Sequence, residues 1–184
     1  MRNLDLFFNK KSLFLMIMVF AFSFSVNAKK KPKPIFKSQL EVKTTKPSER
    51  SNLIIFEAEA REYDENFIKD FQVENKTDDR IYIEWENARI DGGKVVFGDD
   101  RFITKDNPKA DEAVSSHSKS LSRDITYNTS GNYLIPLFRV KELKKDIGKK
   151  RHVFLTIPIR YMDNTIDEFE VTMAVWFELP STDE

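Results

Sequence analysis

The chain has 184 residues, no cysteine and a formal net charge of zero, with 30 Lys or Arg balanced by 30 Asp or Glu. Without cysteine there are no disulfides, no thiolate zinc sites, no cysteine nucleophile and no residue to carry a lipid anchor at a cleavage site. An uncharged average hides a split, because the charges are not evenly distributed along the chain.

Arg2, Lys10 and Lys11 give a basic start, and Leu13 to Phe22 (LFLMIMVFAF) is an unbroken apolar run. Ser23, Ser25 and Asn27 then lead to Val26-Asn27-Ala28, a small-residue exit. This three-part order is that of a secretory signal peptide over residues 1–28, with Ala28 the last residue removed. The run is too short for a spanning helix, which needs about 20 apolar residues. The expectation is therefore an exported protein, periplasmic or extracellular at the cell surface, and not an integral membrane protein after cleavage.

Residues 29–50 (KKKPKPIFKSQLEVKTTKPSER) hold eight Lys or Arg against two Asp or Glu, a balance of +6. Residues 51–184 hold 19 against 27, a balance of −8. Three prolines and few apolar residues predict a disordered or extended basic arm over 29–50. Lys29, Lys30, Lys31, Lys33 and Lys37 are its candidate interaction residues. Each lysine near an anionic envelope surface contributes about 1 kcal/mol. The arm also suits an acidic neighbour or the acidic body of a second copy, so a protein partner or self-association is expected. The acidic body repels phosphates, and nucleic acid is not expected as a partner.

Beyond residue 50 the dominant period is two, the mark of half-buried antiparallel strands. Leu53 to Ala60 opens the series, and Phe67 to Val73 follows with Phe67, Phe71 and Val73 on one face. Ile81, Ile83 and Trp85 then alternate with Tyr82 and Glu84. Val95 to Phe97, Arg101 to Ile103 and Leu121 to Tyr127 are shorter candidates, and Tyr133 to Val140 is a stronger one. Val153, Leu155, Ile157 and Ile159 alternate with Phe154, Thr156, Pro158 and Arg160. The clearest run places Phe169, Val171, Met173, Val175, Phe177 and Leu179 on one face.

Glycines punctuate the runs at Gly92-Gly93, Gly98, Gly131 and Gly148, and Asp163-Asn164 predicts a hairpin between the last two strands. Pro136 and Pro158 predict edges, strand ends or bulges. Val140, Leu143 and Ile147 at helical spacing, followed by Gly148, predict one short helix with a left-handed cap. The sum is an all-β fold over residues 51–181, an antiparallel sandwich of about 7–9 strands with one short helix.

At Phe71 to Trp85 (FQVENKTDDRIYIEW) the chain resembles secreted bacterial immunoglobulin-like sandwich domains. Their early hairpin often reads apolar-x-apolar-x-Asn-x-Thr, a polar turn, then apolar-x-apolar-x-Trp. The resemblance implies an immunoglobulin-like β-sandwich with Trp85 in the core, and no activity.

Constellations for chemistry are sparse. His117 lies in a serine-rich stretch without a G-x-S-x-G turn, and His152 follows Lys149-Lys150-Arg151; both read as surface residues. Asp99, Asp100, Asp106, Asp111 and Glu112 are oxygen donors without the EF-hand spacing. Asn75-Lys76-Thr77 and Asn128-Thr129-Ser130 match a glycosylation pattern and otherwise read as turns. Glu84 with Glu86, or Glu168 with Glu170, are the carboxylate pairs that a small hydrolase of wall or glycan substrates would use. No cofactor is expected. The leading expectation is a non-enzymatic binding or structural module, an accessory component of an envelope, periplasmic or surface filament assembly.

Overall fold

A computed structural model describes residues 32–45, 47–98, 110–127 and 135–181. The strands in chain order are β1 (Ile35–Thr44), β2 (Ile54–Arg61), β3 (Asp64–Asn75), β4 (Ile81–Ile83), β5 (Arg89–Ile90) and β6 (Gly93–Phe97). They continue with β7 (Glu112–Val114), β8 (Ser118–Lys119), β9 (Arg123–Tyr127), β10 (Arg151–Tyr161) and β11 (Ile166–Glu178). One helical turn, α1 (Val140–Leu143), precedes β10, and a 3-10 turn (Ser51–Leu53) precedes β2. The fold is predominantly β, and every strand pair is antiparallel. Eleven strands are described where fewer were expected, because β5, β7 and β8 have only two or three residues each and leave no readable alternation. No helix among the described residues is long and apolar enough to cross a membrane.

The strands form one curled path, β1-β11-β10-β5-β6-β9-β3-β2, with β4 joining β10 to β7 and β8 beside β3. Bulges supply the curl: the β2–β3 register shifts around Glu59, and β3–β9 shifts between Ile68 and Phe71, where Asp70 has φ 51°. An extra residue bends a strand and raises its twist. It also resets the face, so that Ile68 and Phe71 are both buried although three positions apart. The path curls until β2 faces β11 across the core, where Phe56 lies 5.1 Å from Phe169.

Alternation holds best in the long hairpin. Phe169, Val171, Met173, Val175 and Phe177 of β11 are buried, as are Val153, Leu155, Ile157 and Ile159 of β10. Leu179, expected on the same face, lies past the end of β11 and is exposed. Asp163-Asn164 turns the hairpin, with Asn164 at φ 63° and the Tyr161 N–H donating to the Thr165 carbonyl at 2.9 Å. Asp91-Gly92 turns β5 into β6 with both residues at positive φ, the geometry that an Asp-Gly pair supplies without strain.

Pro158 sits inside β10, yet breaks no ladder. Toward its free side β10 pairs first with β5 at Leu155 and Thr156 and then with β4 from Ile159, and Glu84–Ala88 turn away between them. The Pro158 carbonyl accepts from Glu84 N at 3.0 Å, so its missing N–H faces this interruption.

Four expectations are corrected. The arm over 29–50, expected to be disordered or extended and unpaired, holds at 35–44 the strand β1, which pairs with β11 over ten residues from Ile35↔Glu178 to Thr44↔Phe169. Phe36 lies 5.4 Å from Phe177 and 5.9 Å from Phe138, so this arm is anchored by its rings, and the compact unit begins at Pro34 rather than at residue 51. Residues 135–139 are not a strand: Leu137 and Phe138 are adjacent and both buried, and their N–H groups turn to the Glu65 carbonyl. The helix is a single turn, and Ile147 is exposed. Gly148 does take the left-handed φ of 87°, but its N–H binds the Phe177 carbonyl at 2.7 Å instead of capping the helix. Finally, β3 and β4 are not a hairpin, since β4 pairs with β10 and β7 and the Asn75–Asp79 turn carries the chain between them. Arg101–Ile103 and Gly131 lie outside the described residues.

Arg50 fastens the segment after β1 to the β10–β11 hairpin. Its guanidinium donates to Asp163 and Thr165 at 2.9 Å each and lies 4.0 Å above the Tyr161 ring. The Thr165 hydroxyl, and after it Arg50, hold the Asp163 carboxyl well below the usual carboxylate range. A depressed folded pKa contributes stability above the unfolded value of about 3.9, and the contribution fades as pH falls below it. Asp163→Asn should therefore lower the thermal midpoint at neutral pH, with the two curves converging as the solution is acidified below about pH 4. Parallel curves would remove Asp163 from the account.

Candidate interaction groove

The segment between residues 135 and 154 folds back over the end of the sheet and leaves an open groove of about 510 Å³. Its outer wall is held from β3: Glu65 accepts Leu137 N through its carbonyl at 2.8 Å and Val140 N through its carboxylate at 3.0 Å. Phe138 stacks on Phe36, and Leu143 is buried, so the wall is fixed by the same cluster that anchors β1. The inner wall is the start of β10.

The rim is rich in cations. Arg139, Lys149, Lys150 and Arg151 line it, with Glu142 and Asp146 between them. Arg139 lies 3.8 Å from Glu142, and Lys149 lies 3.6 Å from Asp146. Both pairs are well exposed, and such pairs are weak, so the cations stay available to an incoming anion. Lys150 is held more firmly, 4.4 Å above the Trp176 ring and 3.3 Å from the Gln39 amide oxygen of β1. Arg151 reaches Asp91 at 3.7 Å.

Phe154 gives the groove an apolar lip. It is 58% exposed on the outer face of β10 and stacks on His152 with ring centroids 6.1 Å apart. Its N–H is fixed by the Asp91 carboxylate at 3.0 Å. Four cations beside an exposed ring can hold a carboxylate-rich or phosphate-bearing segment and seat one of its apolar side chains.

The residues singled out from the sequence are dispersed. Lys29, Lys30 and Lys31 lie outside the described residues. Lys33 is exposed ahead of β1, and Lys37 points outward from β1, 3.5 Å from Glu178. His152 reaches the groove, whereas His117 sits at a β7–β8 turn with φ 52° and Nε2 3.1 Å from Asp78. That serine-rich turn is pinned rather than free: Ser116 Oγ donates to the Thr77 carbonyl at 2.8 Å.

Asp111 accepts from Arg160 at 2.7 Å, and Glu112 accepts from Trp85, Leu121 and Arg123. Asp99, Asp100 and Asp106 lie outside the described residues, among which no cluster of three or more His, Asp or Glu could hold a metal ion. Glu84 and Glu86 do not share a strand face, because β4 ends at Ile83 and the chain turns there. Glu84 accepts from Arg160 and Glu86 from Lys94. Glu168 and Glu170 stand exposed on the outer face of β11.

No family model, curated protein or solved structure matches this chain. The site therefore rests on its own geometry. Sequence reasoning missed Phe154 and Trp176 as surface aromatics, although both occupy the polar parity of their strands. It also missed Glu65, whose role depends on a turn 75 residues away and leaves no local trace.

Proposed function

We propose that the chain is an exported, non-enzymatic binding or structural module: an immunoglobulin-like β-sandwich freed from its signal peptide after Ala28. It serves as an accessory component of a cell-envelope, periplasmic or surface filament assembly, and it engages an acidic protein partner. The observation that carries this reading is the groove, which Arg139, Lys149 and Arg151 line together with an exposed Phe154. An exposed ring supplies apolar contact, and rim cations raise the rate of encounter with an acidic surface.

The export half is tested by fractionation and N-terminal sequencing, which should find the protein outside the cytoplasm beginning at Lys29. The binding half is tested by cross-linking in the native cells. Replacing Arg139, Lys149 and Arg151 by Glu should weaken the recovered complex by about tenfold or more at low salt, with an unchanged thermal midpoint. The wild-type complex should itself weaken as salt rises. An unaltered partner set in the triple variant would remove the groove from the reading.

A further inference from the structure

We infer that β1 is a self-pairing edge, through which two copies of this chain join their sheets in one antiparallel register. This surface touches the groove's rim only where Lys150 reaches Gln39, and the inference does not depend on the proposal above.

Strand β1 ends the path and, among the described residues, hydrogen-bonds only β11; β2 comes near it without forming a ladder. Its ten residues pair with β11 without a bulge, and no proline interrupts them. Such an edge is a template for another strand. The direction of its free backbone groups can be read. Thr45 N donates to the Glu168 carbonyl at 3.3 Å, one step beyond the Thr44↔Phe169 pair. In an antiparallel ladder this makes the odd residues of β1 the ones bonded to β11. The Phe177 carbonyl agrees: Phe177 is opposite Phe36, and its oxygen turns away from β1 to accept from Gly148 N at 2.7 Å. The N–H and C=O groups of Phe36, Ser38, Leu40 and Val42 therefore face the free edge.

Two copies related by a two-fold axis must pair even residues with even, which leaves few registers. With the axis at Gln39, Lys37 of each copy lies opposite Glu41 of the other, and Phe36 lies opposite Val42. Both ion pairs then fall on the solvent face, since Lys37 and Glu41 are exposed. Val42, 37% exposed in one copy, gains an aromatic neighbour. Moving the axis to Leu40 sets Lys37 against Lys43. Moving it one residue further sets Glu41 against itself. Moving it back to Ser38 gives no ion pair and shortens the overlap. Like charges directly opposite are destabilising, so the same lysines that guard the edge against indiscriminate pairing admit this one register. A two-fold contact is closed and stops at the dimer.

The experiment is sedimentation equilibrium of the purified protein across the micromolar to millimolar range. A monomer–dimer equilibrium is expected. Ser38→Pro removes a donor on the free edge and none from the β11 ladder, so it should abolish the dimer while the thermal midpoint changes little. Lys37→Glu should weaken the dimer by about tenfold, and the double variant Lys37→Glu with Glu41→Lys should restore it. The cysteine-free chain allows a geometric readout. Gln39→Cys should form an intermolecular disulfide on mild oxidation, because two-fold related residues at a non-hydrogen-bonded pair approach to about 4.5 Å. Lys43→Cys, opposite Ile35, should not. A monomer at every concentration, or a dimer indifferent to Ser38→Pro and to the charge swap, would overturn the inference. Neither result would touch the groove, whose Arg139, Lys149 and Arg151 are left intact.

Discussion

Trp85→Ala should cost about 3–5 kcal/mol, the largest loss expected from a single truncation in this chain. The ring is 2% exposed and stands edge-on to two others, 6.0 Å from Phe71 on β3 and 5.1 Å from Phe97 on β6. It therefore bridges opposite stretches of the curled sheet, and its removal opens a cavity lined by rings that cannot collapse together without moving strands. Its N–H donates to Glu112 Oε2 at 2.9 Å, and that carboxylate also accepts from Leu121 N at 2.7 Å and Arg123 Nε at 3.1 Å. Trp85→Phe separates the two contributions, since it keeps an aromatic ring in the site while losing the donor and part of the volume. It should cost about 1 kcal/mol beyond the change in buried area. Urea denaturation followed by circular dichroism measures both. A loss within about 0.5 kcal/mol for the alanine variant, as at an ordinary surface position, would mean the ring does not hold the curled sheet together.

Asn75→Ala should cost about 3 kcal/mol, although it deletes only a small amide. The side chain is fully buried and saturated. Its Nδ2 donates to the carbonyls of Asp79 at 2.8 Å, Val114 at 3.2 Å and Ser115 at 3.1 Å. Its Oδ1 accepts from Thr77 N at 3.0 Å and Thr77 Oγ1 at 2.7 Å. One amide thus shapes the turn that carries the chain from β3 to β4 and ties it to the end of β7. Alanine strands several buried backbone groups at once, which costs more than the bonds contributed. Asn75→Asp should be worse, because a carboxylate would face three carbonyl oxygens where the amide donated. Equal stability of Asn75→Ala and the wild type would mean that water replaces the amide. The Asn-x-Thr triplet is on this account a structural turn, with its amide committed to the fold and closed to modification.

The groove and the edge meet at one residue. Gln39, at the centre of the exposed face of β1, accepts from Lys150 on the groove rim. Both surfaces depend on the Phe36 anchor, since Phe36 packs β1 against Phe177 and the outer wall against itself through Phe138. The basic segment read from the sequence as a disordered or extended arm is thus in part a structural strand whose outward Lys37 and Lys43 are exposed.

How much of this was legible in the sequence follows from the range of each signal. Alternation between neighbours two apart is local, so β10, β11 and β4, the Asp163-Asn164 and Asp91-Gly92 turns and the burial of Trp85 could be read directly. A turn needs only its own residues to take positive φ, and an amphipathic strand only its own side chains. Tertiary structure decided the rest. Strand β1 alternates weakly, with Ser38 on its inner face, and becomes a strand because β11 offers ten partners more than a hundred residues later. Residues 135–139 look like a strand until Glu65 takes their N–H groups. Pro158 looks like an edge until the gap between β4 and β5 accommodates it. Side-chain period records which face of an element is oily; it carries no record of which distant backbone will satisfy that element's hydrogen bonds, and that pairing is what created both the groove and the open edge.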